Sequence, residues 1–199
     1  NGLGRHEVRA ECGVNSHIHI MTMMIGGGDI YSDDHVTLSG DGARFDADTA
    51  YLGKNSQTID YNIVADHFGK KTESLITVNG ALTDSAKKVF RGTIDFKKGS
   101  ADSVGSENET VLMLGDDVVN KTVPLILCAE ENVEGTHGAT IGELDADTMF
   151  YFESRGIDRE TAEKIMAYAA VERLIHMAED SEFAAEVEKD MGIKTDTEE

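Results

Sequence analysis

The most distinctive setting for chemistry in this sequence surrounds His137, which lies in the run Gly-Thr-His-Gly-Ala-Thr at 135–140. A neutral imidazole is the commonest metal ligand among side chains. A flanking glycine also lets a ligand or a partner approach the backbone closely. A histidine in such a run can equally be held by neighbouring backbone groups in a tight turn. The residues alone therefore leave a metal ligand and a structural histidine both open.

A second pair of imidazoles, His17 and His19, lies in a stretch where Ile18 and Ile20 alternate with them. Alternate side chains of a β-strand point to the same face, so the two rings are expected together on one face, where they could share a metal ion. No third ligand is visible nearby in the sequence. An exposed histidine pair on a strand is the alternative interpretation.

Clustered carboxylates precede His137 at Glu130, Glu131 and Glu134. On a β-helix such a cluster could bind Ca²⁺ or cleave a polysaccharide through paired carboxyl groups. A polysaccharide-acting enzyme or a carbohydrate-binding protein is therefore the alternative function. A solvated acidic turn explains the same residues without any chemistry.

The two cysteines, Cys12 and Cys128, are far apart in the sequence. The chain therefore has neither the C-x-x-C spacing of a zinc or cluster site nor a disulfide framework. Two lone thiols favour a reducing compartment, and we expect a cytoplasmic protein. Cys128 lies in an apolar run and is predicted to be buried as a small hydrophobic side chain.

The elements that must position these side chains change character near Leu144. Before it, short β-branched segments alternate with turns rich in Gly, Asn and Asp, a pattern typical of many short strands. The predicted strands cover residues 17–24, 35–38, 50–52, 58–64, 75–78, 89–96, 110–114 and 123–128.

The turns in this part show an internal period. A glycine followed by Ala or Ser recurs at Gly42, Gly80, Gly99 and Gly138, at separations of 38, 19 and 39 residues. These are one or two multiples of 19 or 20 and predict stacked coils of that length, although such pairs are also common in any glycine-rich chain. Because hairpin signals of the Asn-Gly type are few, we predict a mainly β protein with a parallel β-helix core.

The chain after Leu144 has a helical pattern. Asp145 and Asp158 are predicted to cap two helices, because an aspartate at this position accepts hydrogen bonds from the first turn, and Ser181 is predicted to cap a third. The apolar face of the second helix is predicted to hold Ala162, Ile165, Met166, Ala169, Ala170, Leu174, Ile175 and Ala178. We therefore divide the chain into a β-helix core, 1–144, and a C-terminal helical domain, 145–199, whose last residues, 194–199, are predicted to fray. Since the first residue is Asn1 and not Met, sequence is expected to be missing upstream.

The charge balance narrows the possible partners. The chain has 38 acidic and 18 basic side chains, a formal net charge of −20. Nucleic-acid binding needs clustered Lys and Arg against phosphates, and anionic membranes attract basic segments, so the composition argues against both partners. No apolar stretch approaches the ~20 residues of a membrane-spanning helix.

Residues 124–157 resemble the core of the SufB/SufD family, components of the SUF iron–sulfur cluster assembly system. The matching runs are Thr-His-Gly-Ala-Thr-Ile-Gly at 136–142, Leu-Asp at 144–145 and Phe-Tyr-Phe-Glu-Ser-Arg-Gly-Ile at 150–157. Weaker matches, including Phe-Arg-Gly-Thr-Ile at 90–94, extend the resemblance over about 40–177, most of the chain. Several motifs in order at the spacing of the family make the resemblance specific.

The resemblance implies a right-handed parallel β-helix followed by a small helical domain, in a scaffold that builds and passes on iron–sulfur clusters without being an enzyme itself. Members of the family pair through their β-helices, here with a SufB-like subunit or a second copy, and dock a SufC-like ATPase through the C-terminal helices. It also implies a transient cluster at the subunit interface and none bound by the isolated chain. The implied docking residues are Phe150, Tyr151, Ser154, Arg155 and Ile157. Arg155 could hold a carboxylate in a bidentate pair, or pack the helical domain on the last coil.

Two positions assign the branch of the family. SufB-type proteins carry a cysteine in the turn after a Gly-Asp, where this chain has Gly-Asp-Asp-Val at 115–118, and a glutamate after the core histidine, where this chain has Gly138. The His-Gly pair is SufD-like, so His137 is the residue carried over as a candidate cluster or metal ligand at the subunit interface. The chain departs from SufD-like proteins at Gly135, where they have a cysteine, which leaves a short divergent paralogue as the alternative to the standard partner.

Overall fold

The computed structural model describes residues 2–191, so the predicted frayed tail at 194–199 lies outside the described residues. Ten strands are followed by three helices. The strands are β1 (Leu3–Cys12), β2 (His17–Met24), β3 (Asp29–Leu38), β4 (Arg44–Gly53), β5 (Thr58–His67), β6 (Glu73–Leu82), β7 (Lys87–Phe96), β8 (Ser103–Met113), β9 (Val119–Cys128) and β10 (Val133–Glu143). The helices are α1 (Ala146–Glu153), α2 (Arg159–Met177) and α3 (Ser181–Met191).

The strands form two five-stranded sheets in which every neighbouring pair is parallel. The odd-strand sheet has the order β1-β3-β5-β7-β9, and the even-strand sheet has the order β10-β8-β6-β4-β2. Each coil therefore contributes one strand to each sheet, and the chain winds through about five coils. The predicted parallel β-helix followed by helices is confirmed.

The predicted coil length of 19 or 20 residues is wrong. Strand partners in neighbouring coils are 26 residues apart where Leu3 pairs with Asp29 and 32 apart where Lys87 pairs with Val119. The glycine pairs that suggested the shorter period do not occupy equivalent places, since Gly80 lies within β6 and Gly138 within β10.

A corner that repeats lies between each odd strand and the following even strand. One residue there has a positive φ in four successive coils: Asn15, Gly42, Lys71 and Asp102. The N–H of this residue donates to the corresponding corner of the next coil, as from Gly42 to the Lys70 carbonyl at 2.8 Å. Because Asn, Gly, Lys and Asp all fill the position, a search for repeated glycines does not find it.

The hydrophobic core lies between the two sheets. Inward-facing side chains alternate with outward ones along each strand, and a fully buried Phe or Leu contributes about 2 kcal/mol relative to an exposed one. Its largest members are Phe45, Phe90, Phe96, Tyr51, Tyr61, Leu38, Ile59, Ile63, Ile76 and Leu82. The terminal strands β1 and β10 escaped prediction because β1 is mostly charged and β10 is rich in glycine, so neither has the apolar alternation of a covered strand.

The prediction that Cys128 is buried is wrong. Cys12 is buried at the end of β1, whereas Cys128 is exposed at the end of β9. Cys128 pairs in register with the buried Phe96, but it belongs to the last coil within residues 2–191, so no further described coil covers it. Both thiols are free.

Two of the three predicted helix caps are confirmed. The Asp145 carboxylate accepts the N–H of Thr148 at 2.7 Å, and that of Asp158 accepts the N–H of Thr161 at 2.8 Å. The third cap is Asp180 instead of Ser181, since the Asp180 carboxylate accepts two N–H groups of the first turn of α3.

Helix α2 packs on the outer face of the even-strand sheet. Its buried residues Val171, Leu174 and Ile175 join Ala50, Leu52 and Ala81 of β4 and β6 in one hydrophobic cluster. The apolar face is rotated from the predicted one, because Ile165 is 43% exposed. Within residues 2–191, none of the three helices combines the length and apolar composition that crossing a membrane requires.

Candidate functional site

His137 lies on β10, at the edge of the even-strand sheet in the last coil. Its register partner is Glu107 of β8, whose side chain is buried inside the β-helix. A Cβ on Gly135 would meet Ile126 and Phe96 of the opposite sheet, so residues 135 and 137 face inward. His137 is nevertheless exposed, and it therefore stands at the open end of the β-helix interior. Among residues 2–191 its ring has no hydrogen-bond or ion-pair partner.

A buried ion pair lies inside the β-helix, one coil below this open end. The fully buried Lys88 ammonium of β7 donates to the Glu109 carboxylate of β8 and to Thr122 Oγ1 of β9 at 3.1 Å. Thr122 Oγ1 in turn donates to Glu109 Oε2 at 2.6 Å. Burial lowers the pKa of Lys88, and the Glu109 carboxylate opposes this effect. Buried pairs of this kind are stabilising only when their hydrogen bonds are complete.

Glu107 is a second buried carboxyl group beside this pair, only 3% exposed. It accepts no hydrogen bond from the described residues. Burial, followed by the neighbouring Glu109 charge, raises its pKa to about 7, and Lys88 opposes the rise. The hydroxyl groups of Tyr51 and Tyr61 are also buried in the interior without a hydrogen-bond partner in the described chain. The apolar interior of the β-helix therefore contains a cluster of buried polar groups.

Sequence reasoning missed this polar interior. The predicted strands leave out residues 103–109 and begin again at residue 89, one after Lys88, so they place none of Lys88, Glu107 and Glu109 in the interior. The sequence does contain a signal for their burial, because each lies an even number of residues from a core residue of its own strand. Lys88 is two residues from the core residue Phe90, and Glu107 and Glu109 are in phase with Val111. A charged residue at an inward position must find a buried partner or become neutral.

Glu130 and Glu131 of the acidic cluster before His137 lie in the turn between β9 and β10, whereas Glu134 lies in β10. Glu130 Oε2 accepts the Gly99 N–H at 2.9 Å and Oε1 accepts the Glu131 N–H at 3.0 Å. These backbone donors lower the pKa of Glu130. No group of three or more His, Cys, Asp or Glu side chains in the described part of the chain is arranged to hold a metal ion.

His17 and His19 lie on the outward face of β2, at the other edge of the even-strand sheet. The two rings contact different carboxylates of β4. His17 Nε2 is 2.9 Å from Asp46 Oδ2, and His19 Nε2 is 2.8 Å from Asp48 Oδ2. Their common face agrees with the alternation in the sequence.

The motif at 150–157 forms α1 and its C-terminal cap. Gly156 has φ +77°, its N–H donates to the Glu153 carbonyl, and the Ile157 N–H donates to the Phe152 carbonyl at 3.1 Å. This is a Schellman cap, which requires a left-handed residue at the glycine position. The cap therefore explains the glycine of this motif structurally, independently of any role in binding.

The predicted docking residues lie together on the surface of this helix and its cap. Phe150 is 72% exposed and Tyr151 is also exposed. The Arg155 guanidinium carbon lies 3.7 Å from the centre of the Tyr151 ring, and Ser154 Oγ donates to the Tyr151 carbonyl. Ile157 is partly buried. Arg155 thus stacks on an aromatic ring and forms no carboxylate pair within the described residues.

Comparison with known proteins places this geometry in a family. Residues 3–170 match the model of the SufBD core domain of the SUF system for FeS cluster assembly. The chain is 31% identical over 156 residues to the iron–sulfur cluster assembly protein SufD of Bacillus subtilis, covering 78% of this chain and 36% of that protein. It is 22% identical over 159 residues to SufD of Escherichia coli, covering 80% and 38%. A chloroplastic SufBD family protein of Arabidopsis thaliana, ABCI8, is 28% identical over 159 residues, covering 80% and 28%. The chain thus spans about a third of the length of these relatives.

Proposed function

Because this chain belongs to the SufBD family and is SufD-like, we propose that it is a non-catalytic scaffold subunit of an iron–sulfur cluster assembly complex. The observation that carries the proposal is the open last coil of the β-helix, with His137 facing into it. The relatives are named as assembly proteins, and two free thiols suit a reducing compartment such as the cytoplasm.

The last coil is suited to pair with another β-helix. The inward-facing Ile141 is exposed at this end, and β9 and β10 are edge strands whose free backbone groups can accept a further strand. The outward face of β9 adds the exposed apolar residues Val119, Val123, Leu125 and Leu127, with Lys121 as the one charged residue among them. In contrast, β1 at the opposite edge carries Arg5, Glu7, Arg9 and Glu11, and charges on an edge strand discourage pairing. The partner at the last coil is a SufB-like subunit or a second copy of this chain.

The iron–sulfur cluster is the cargo of such an assembly, held transiently at the joint between two β-helices. His137 supplies one imidazole ligand from this side. A single side chain cannot hold a cluster, so the other ligands come from the partner subunit. Since no three-ligand group exists within residues 2–191, we expect no stable cluster on the isolated chain.

The ATPase partner docks on the exposed aromatic surface of α1 and its cap. Phe150 and Tyr151 supply apolar area, and Arg155, already oriented by the Tyr151 ring, supplies a cation. Exposed aromatic and arginine side chains are the commonest anchors of protein interfaces. Ser154 and Ile157 hold the shape of the cap from which Arg155 projects.

The pairing step is tested by replacing Ile141 with Asp and measuring mass by light scattering after size exclusion, with and without the SufB-like subunit. We expect the Ile141→Asp chain to lose its complex, because a carboxylate would be buried at the joint. Val14→Asp is the control, since Val14 is at least as exposed but lies in the turn between β1 and β2. A complex of unchanged stability in the Ile141 variant would rule out pairing through the last coil.

The cluster role is tested in the reconstituted complex by counting iron and acid-labile sulfide. We expect His137→Ala to lower both while the complex still forms. Iron and sulfide at the level of the unmodified complex would remove His137 from the ligand set.

The docking step is tested by co-elution with the SufC-like ATPase. Phe150→Ala and Arg155→Ala should each weaken the complex, whereas Leu3→Ala should not, although Leu3 and Phe150 are equally exposed, at 72%. An equal effect of Leu3→Ala, or no effect of either docking variant, would contradict the assignment of this surface.

A further inference from the structure

The first coil of the β-helix carries an unsatisfied carboxylate oxygen beside an accessible imidazole. Asp34 of β3 is only 3% exposed, and its Oδ1 is buried without a hydrogen bond from the described residues. The half-exposed side chain of His6, on the neighbouring strand β1, places its Nδ1 3.4 Å from that oxygen. A carboxylate taken out of water is costly unless hydrogen bonds or a positive charge compensate it. The position therefore favours a cation.

The separation of these two atoms differs from that of a direct hydrogen bond. Three other imidazoles on the strands contact a carboxylate at 2.6–2.9 Å: His17 with Asp46, His19 with Asp48 and His35 with Asp66. Two ligand atoms that bind one zinc-like ion at about 2.1 Å, with an angle of about 100–110° between them, lie about 3.2–3.4 Å apart. His6 Nδ1 and Asp34 Oδ1 are therefore spaced like two ligands of one ion.

A buried hydroxyl group lies at the same point. Ser32 precedes Asp34 by two residues on the inward face of β3, and its Oγ is 3.2 Å from His6 Nδ1. A hydroxyl can donate to the lone pair of the ring, and it can hydrogen-bond a water molecule bound to an ion. Arg9, also on β1, is already paired with Asp33, so its charge does not pair with the Asp34 carboxylate.

The pair can be reached from the surface. A groove of about 560 Å³ opens beside β1, and its lining includes His6 and Ser32, which supplies the entry path that a metal site needs. Strand β1 is at one edge of the odd-strand sheet, in the first described coil. His137 lies on β10 in the last coil, so this pair is independent of the proposed cluster site.

The two ligand types select the kind of ion. An imidazole nitrogen suits first-row transition metals, whereas Mg²⁺ and Ca²⁺ prefer oxygen ligands alone. We propose that His6 Nδ1 and Asp34 Oδ1 bind one divalent first-row transition-metal ion, with water at its remaining positions and the Ser32 hydroxyl holding one of these waters. Since residues 2–191 contain no group of three His, Cys, Asp or Glu side chains that could hold a metal, the ion is exchangeable and not structural.

The experiment is a titration with Zn²⁺ in competition with a chromophoric indicator of micromolar affinity. It is done in a Cys128→Ser background, because the exposed thiol of Cys128 would bind Zn²⁺ itself. We expect the affinity to fall at least tenfold in His6→Gln and in Asp34→Asn, and by a smaller factor in Ser32→Ala. His35→Gln is the matched control and should leave the titration unchanged, since its ring is hydrogen-bonded directly to a carboxylate.

Nuclear magnetic resonance of the histidine ring nitrogens tests the site without altering its ligands. Zn²⁺ should shift the Nδ1 signal of His6 and leave the rings of His17 and His19 unchanged. No shift at His6, a shift of its Nε2 instead, unchanged affinity in both ligand variants, an equal loss in His35→Gln, or tighter binding of Mg²⁺ than of Zn²⁺ would each overturn the proposal. None of these outcomes bears on His137, whose test is the cluster content of the complex.

Discussion

The carboxylate of Glu107 lies against the backbone of Gly92, across the interior of the β-helix from its own strand. Gly92 is the glycine of the Phe-Arg-Gly-Thr-Ile run, and the absence of a side chain there makes room for a buried acid. Polar groups taken out of water are costly unless they are paired or neutral. This contact therefore explains a glycine within a core strand. Burial at this place, followed by the neighbouring Glu109 charge, raises the pKa of Glu107.

The first prediction concerns the space at Gly92. A Cβ at this position would collide with the Glu107 carboxylate, so Gly92→Ala should lower the free energy of unfolding by about 1–3 kcal/mol through overpacking. Chemical denaturation measures the change. In a Glu107→Ala background the same substitution should cost much less, because the colliding group is gone.

Gly142→Ala is the control for this pair. Gly142 also lies within a strand, β10, but a Cβ there would meet nothing within 4 Å. We expect little or no loss of stability. A Gly92 variant as stable as the Gly142 variant would show that the Glu107 carboxylate moves aside freely.

The second prediction is a pH dependence due to Glu107. Its pKa is about 7 in the folded protein against 4.5 for an ordinary glutamate, so the folded state binds the proton more tightly. The resulting stabilisation is complete below pH 4.5 and is lost as the pH rises through 7, by at most about 3 kcal/mol. Relative to Glu107→Gln, which has no proton to lose, the unmodified chain should become less stable across this range. Parallel stability curves for the two proteins would contradict the assigned pKa.

The third prediction concerns His67, which should make stability depend on pH in the opposite direction to Glu107. Its buried ring contacts Thr72 Oγ1 at 2.7 Å and Ser74 Oγ at 2.9 Å, and burial lowers its pKa from 6.5 to about 4. The stabilisation that depends on a neutral His67 is complete above pH 6.5 and is lost as the pH falls through 4. The unfolded chain binds the proton more tightly than the folded chain in this range. His67→Gln should remove this acid-side loss, measured as denaturation midpoints between pH 4 and 7. An unaltered slope in that window would argue that His67 is not buried as a neutral ring.

The fourth prediction concerns the buried pair of Lys88 and Glu109. Lys88→Met leaves the Glu109 charge buried without its partner and should cost about 3–5 kcal/mol. The double variant Lys88→Met/Glu109→Gln should lose less than the two single variants together, a difference measurable by a double-mutant cycle.

The matched surface pair is Glu160 and Lys164 on α2, at 2.7 Å. Both side chains are exposed and their charges are screened by water, so Lys164→Met should leave the free energy of unfolding almost unchanged. Comparable losses for the two lysines would mean that water reaches the interior pair.

Local features of this protein follow from the sequence because their causes lie within a few residues. The alternation of His17, Ile18, His19 and Ile20 predicts the strand and its two faces. Asp145 and Asp158 predict two helix starts, since the capping bond spans only three residues. The scarcity of hairpin turns before Leu144 indicates a parallel β-helix, because neighbouring parallel strands cannot be joined by a tight turn.

Only the tertiary structure decided the length of a coil and the content of the interior. The repeating corner is a backbone conformation shared by Asn15, Gly42, Lys71 and Asp102, so residue type does not reveal its period. Lys88 meets Glu109 because β7 and β8 face each other across the interior, and Cys128 is exposed because its coil is the last. Burial of a side chain depends on what the neighbouring coils place over it, and this is information that no single segment of the chain contains.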